Sequence, residues 1–102
     1  MVIILGTIKL AAASEFEKIK GALARRAAKS RADKGNIEYA FSVSVEHPTE
    51  IRLTEIWESE DALQAHLAIP DEEFSAVLAN TQVTTAVVSS YDASNERVLM
   101  KR

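Results

Sequence analysis

A chain of 102 residues, 47% apolar and 26% charged, makes one soluble-type domain near the size at which a single core becomes marginal. Its formal charge of −3 excludes non-specific nucleic-acid binding as the main role, since that needs a net basic surface. The absence of cysteine excludes disulfides, thiolate catalysis and thiolate-held metals.

Val2 to Lys9 is apolar and β-branched enough to predict a buried strand, with Gly6 as a bulge or point of close approach. The opening Met-Val-Ile-Ile-Leu-Gly lacks the basic flank and cleavage site of a signal peptide. No run of about 18 apolar residues is present to span a membrane, so a cytoplasmic protein without a membrane partner is expected. Ser14 with Glu17 three residues on has the spacing of a capping box and predicts a helix start. Phe16, Ile19, Leu23 and Ala27 then keep a 3.6-residue period, and Gly35 suits the left-handed residue that ends a helix.

Ile37, Tyr39, Phe41, Val43 and Val45 alternate with smaller or polar residues, the period of an antiparallel strand. After a turn at His47-Pro48-Thr49, Ile51, Leu53, Glu55 and Trp57 alternate in the hairpin partner. Ser59 caps a second helix with Glu60 and Asp61 at its positive end, and Pro70 interrupts it. A further helical piece begins at Asp71 and turns Phe74, Val77 and Leu78 to one side; Val83 to Tyr91 is the fourth strand, and Arg97 to Lys101 offers a short fifth. The order β-α-β, hairpin, β-α-β predicts an α+β domain over 1–102: a ferredoxin-like split βαβ sandwich with an antiparallel sheet. The middle strands are apolar on both faces, as in Ala40 and Ile56 beside Tyr39 and Trp57, whereas helices cover only one. The other face is expected to meet a second copy in a homodimer.

Charge is unevenly spread. Between Glu15 and Lys34, seven cations oppose three carboxylates; between Glu46 and Glu73, Arg52 stands alone among nine carboxylates. Two solvated helix faces of opposite sign, or complementarity between subunits, would each account for this.

Site chemistry centres on the stretch from Glu55 to Phe74. His66 follows Leu63 by three residues and Ala62 by four, which puts it on the apolar stripe of its helix. It is a general base or a hydrogen-bond donor to a substrate oxygen, or else a structural histidine satisfied by the backbone. Tyr39, Phe41, Trp57 and Phe74 line an aromatic slot for a flat ring, or are plain core. Glu55 alternates with Leu53 and Trp57 and so faces inward, where a carboxylate must be paired or have a raised pKa. Arg52, Arg97 or a partner-chain base would pair with it; otherwise Glu55 is itself the base. His47 belongs in a solvent-exposed turn. Two distant histidines do not make the three convergent ligands of a catalytic zinc, and three scattered glycines make no phosphate loop. No metal or other cofactor is expected.

Gly35-x-x-x-Tyr39-x-Phe41, Ile51-x-Leu53-x-Glu55-x-Trp57-Glu58-Ser59, and Leu63-x-x-His66-Leu67-x-x-Pro70 with Phe74 resemble the antibiotic biosynthesis monooxygenase domain family, most nearly its small quinol monooxygenases. The resemblance implies a ferredoxin-like protomer whose sheets pack face to face in a dimeric α/β-barrel with the helices outside. It also implies oxidation of electron-rich phenols, anthrones or quinols by dioxygen, without metal or flavin. In such a reaction the substrate supplies the electrons, and the protein removes a proton, excludes water and holds substrate beside oxygen. Two departures from the family stand out. Ala11-Ala12-Ala13 replaces a frequent Pro-Gly before the first helix. The haem-degrading members' Asn, Trp and His fall here at Gly6 or Thr7, His66 and Leu78, which argues against haem degradation. The expected function is cofactor-independent monooxygenation of a small aromatic hydroquinone- or anthrone-like substrate with dioxygen. The alternatives are a non-catalytic dimeric ligand-binding or regulatory domain, and an isomerase or lyase on the same fold.

Overall fold

The structure, a computed structural model, describes residues 1–102. Seven elements follow in order: β1 (Val2–Leu10), α1 (Ala13–Arg31), β2 (Asn36–Val43), β3 (Glu50–Trp57), α2 (Glu60–Leu67), α3 (Glu72–Ala79) and β4 (Val83–Asp92). The sheet has the order β2-β3-β1-β4 and is antiparallel throughout. Because β3 lies between β1 and β2, the unit β1-α1-β2 is the split βαβ of a ferredoxin-like fold.

Register explains which residues meet. Ile4 faces Glu55 across β1 and β3, and Glu55 faces Tyr39 across β3 and β2, so these three form a row on the helix side. Val2, Ile4, Ile8, Leu53 and Trp57 are buried on that side against Ile19, Leu23 and Ala27 of α1 and Leu63 of α2. Fully burying such a side chain contributes about 1.5–3 kcal/mol. Gly6 makes a close approach rather than a bulge: a Cβ there would sit 3.2 Å from Leu53 Cβ and from Val88 Cγ2. The opposite face is open, and Leu5, Val87 and Tyr91 remain exposed.

Four sequence expectations are corrected. Helix α1 starts at Ala13 behind Ala12, which offers no side-chain cap, so Ser14 lies inside the helix. The amides of Leu10 and Ala11 are held by Thr49 and Gln82 carbonyls, which turns the chain into the helix early. Gly35, at φ +85, completes the turn after α1 and does not end the helix, whose C-cap is Ala32. A bulge between Asn36 and Glu38 turns Ile37 outward, and β2 ends at Val43, leaving Val45 fully exposed. Residues 93–102 form no fifth strand; Val98, Leu99 and Met100 are exposed there.

The opposed charges meet within one chain. Asp71, at the N-cap of α3, is 3.3 Å from Arg26 and 3.8 Å from Lys29, and Glu73 lies 2.9 Å from Arg25. The basic face of α1 therefore clamps the acidic start of α3. Pro70 separates α3 from α2, which lets the chain bend between them.

Candidate functional site: a closed imidazole and an open groove

Ser59 sets the phase of α2. Its hydroxyl accepts from the Ala62 amide at 3.1 Å, and the turn that follows brings Leu63 and His66 to the interior. His66 is only 2% exposed. Its Nδ1 is 2.7 Å from Asp33 Oδ2, and its Nε2 is 3.0 Å from Arg26 Nη2. Arginine can only donate, so Nε2 accepts; Nδ1 then carries the proton and donates to the Asp33 carboxylate. This assigns a neutral imidazole with both nitrogens engaged.

The imidazole lies against the Trp57 ring, with centroids 4.5 Å apart, and 5.9 Å from the Tyr39 ring. Trp57 is fully buried, and its indole N–H donates to Glu55 Oε1 at 2.8 Å. Burial, and secondarily the Glu55 carboxylate, pushes the Tyr39 phenol above its ordinary value, with Arg26 opposing. Arg26 also stacks over Phe74 at 5.2 Å, and its Nε is buried without an acceptor.

Glu55 is thus paired through the Trp57 indole and not through Arg52 or Arg97. Arg52 projects from the opposite face and bonds Glu50 at 3.0 Å. Tyr39, Phe41 and Phe74 form a row, with centroids 5.7 and 6.1 Å apart. Trp57 stands apart from that row against His66, so the four aromatic rings and the imidazole pack on one another. His47 is in the exposed turn before β3. No group of three His, Asp or Glu side chains is arranged to hold a metal ion.

Sequence reasoning missed Arg26, Asp33 and Arg31. Arg26, Ser30 and Asp33 recur at helical spacing, and that spacing was the available signal; their partners on α2 and at the start of α3 lie 33 to 45 residues away. Arg31 donates from Nε to the Tyr39 carbonyl at 2.9 Å, which ties the end of α1 to the free edge of β2.

Between α1 and that edge lies a groove of about 300 Å³. Phe16, Leu23, Ala27, Phe41, Val43 and Ile51 wall it, and Lys20 and Arg31 are its charged groups. Of the aromatic residues singled out in the sequence, Phe41 lines this groove, whereas Tyr39, Trp57 and Phe74 do not, nor do His66 and Glu55.

A four-stranded antiparallel sheet with one helical layer, in split βαβ order, defines a small α+β domain of ferredoxin-like type. The chain belongs to the antibiotic biosynthesis monooxygenase family, whose profile matches residues 1–80. A structure from Deinococcus radiodurans, assigned to that family, is 27% identical at a TM-score of 0.88, covering 99% of this chain and 100% of that one. One from Nitrosomonas europaea is 17% identical (TM-score 0.81, covering 91% and 98%). SnoaB of Streptomyces nogalater, a cofactor-independent oxygenase, is 20% identical (TM-score 0.72, covering 98% and 97%). A search of curated proteins found no match. Family membership supports a monooxygenase-type function.

Proposed function

We propose that the protein is a cofactor-independent monooxygenase that oxidises a small aromatic hydroquinone- or anthrone-like substrate with dioxygen. The observation that carries this reading is the groove, in which seven of the ten lining residues are apolar and the two charged ones are cations. Apolar walls favour a flat ring and exclude water. Cations beside it favour the phenolate or enolate, the form that gives an electron to oxygen most readily. The substrate supplies all the electrons: a hydroquinone and O2 yield a hydroxyquinone and water, and a ring methylene becomes a carbonyl with loss of water.

In this reading His66 accepts the proton at Nε2 after Arg26 withdraws onto a substrate oxygen, and Asp33 stabilises the imidazolium that forms. Glu55 is the second candidate base. Tyr39, Trp57 and Phe74 hold the imidazole and guanidinium in place, and Phe41 meets the ring. A second copy is proposed to cover the open sheet face carrying Leu5, Val87 and Tyr91. The tight enclosure of His66 favours one rival, a binding domain in which that residue is purely structural.

Oxygen uptake by the metal-stripped protein with hydroquinones and anthrones tests the reading. His66→Ala should lower turnover by at least about a hundredfold. Turnover without oxygen consumption would point to an isomerase or lyase. Ligand binding without turnover would point to the binding domain.

A further inference from the structure

Arg31 of the groove differs from the other arginines on the helical layer. Arg25 is matched by Glu73, Arg26 by Asp71, and on the sheet Arg52 by Glu50. Arg31 has no carboxylate partner; its one bond is from Nε to the Tyr39 carbonyl. That bond fixes the guanidinium plane and leaves both terminal nitrogens unengaged, the edge that takes a carboxylate in a two-pronged pair. Lys20 is paired with Glu17 at 2.8 Å, but both ends are more than half exposed. A pair that exposed contributes little and is exchanged readily for a better-placed anion. No carboxylate lines the groove.

Spacing adds a constraint. Lys20 and Arg31 stand three turns apart on α1, about 16.5 Å along the axis. The apolar wall of Leu23, Ala24 and Ala27 lies between them. A neutral ligand would leave both cations unused and only the wall satisfied. A flat ring bearing an acid group at one end would satisfy the wall and one cation together.

We infer that the groove is built for an aromatic acid: a fused-ring substrate whose carboxylate docks on Arg31, with Lys20 helping to attract and retain the anion. This rests on the groove being the substrate site of the proposed oxygenase and specifies the substrate class it takes.

The test compares two redox-stable probes of equal ring size, hydroxynaphthoate and naphthol, by calorimetric titration. The wild-type protein should bind the acid at least about tenfold more tightly, and that preference should shrink as salt rises. Arg31→Gln should abolish most of the preference while leaving naphthol affinity within about twofold. Arg31→Lys, which loses the forked edge but keeps the charge, should retain part of it and serves as the control for loosening of β2. Lys20→Gln should reduce it by a smaller factor. Equal affinity for the two probes, or a preference that survives the Arg31→Gln, Lys20→Gln double variant, would overturn the inference.

Oxygen uptake separates this from the activity. Hydroquinones with and without a carboxylate consumed at equal kcat/KM would overturn the acid preference and leave the oxygenase standing. A binding preference that depends on Arg31, with no oxygen consumed, would support the acid site and remove the oxygenase.

Discussion

Gly35 is the position at which one added carbon should be felt most. Its φ of +85 lies in the left-handed region, which costs a non-glycine residue about 1–2 kcal/mol. A Cβ built there falls 2.5 Å from Ala62 Cβ, whereas apolar carbons pack at about 3.5–4.0 Å. Relieving that overlap means shifting α2, and overpacking of this kind costs about 1–3 kcal/mol. Gly35→Ala should therefore destabilise the protein by about 2–5 kcal/mol, against a total of about 5–15 for a typical domain. Urea unfolding reads this directly, because the single tryptophan, Trp57, is buried and reports the core. The double variant Gly35→Ala, Ala62→Gly should recover the steric part. Ala62→Gly alone costs about 1 kcal/mol, so the pair should lose less than the sum by about 1–3 kcal/mol. A loss below about 1 kcal/mol for Gly35→Ala, or additivity within about 0.5 kcal/mol, would refute the argument.

Other expectations follow from the site. Tyr39 holds its proton more tightly folded than unfolded, so its contribution is complete below its ordinary value near 10 and is lost as pH rises through the higher folded one. Tyr39→Phe should flatten stability on that alkaline side, measured by urea midpoints across pH. Asp71 is held below its ordinary carboxylate value, first by the Phe74 amide and then by Lys29 and Arg26. Its contribution is therefore present above about pH 3.8 and lost as pH falls through the depressed folded value. Asp71→Ala should cost about 1 kcal/mol as a lost helix cap, and Asp71→Asn, which still caps, should cost less. Glu55→Leu should cost about 1–3 kcal/mol by orphaning the buried Trp57 N–H and should shift Trp57 emission. Glu55→Gln should be milder in both respects.

Strand content was legible because the β-branched apolar run of β1 and the alternation along β2 and β3 are local signals, but the two-faced apolar pattern did not tell centre from edge: β2, which carries it, lies at the edge of the sheet. Ser59 was legible as a cap because hydroxyl and amide are neighbours in sequence. Ser14 carried the same local pattern, yet tertiary ties on Leu10 and Ala11 start the helix first. The inward direction of Glu55 followed from parity, but its partner did not. Parity gives a face, whereas the choice of Trp57 over an arginine depends on side-chain reach within one strand. The polar cluster around His66 was hidden more deeply. Arg26 and Asp33 read as members of a solvated basic helix, and only the docking of α2 and α3 turns them inward.

Arg26 touches the imidazole on α2 and the capping carboxylate of α3 while rooted on α1, so three helices share one guanidinium. Mechanically this makes the helical layer a single latch. The cover over the imidazole and part of the grip on α3 therefore rest on the same side chain.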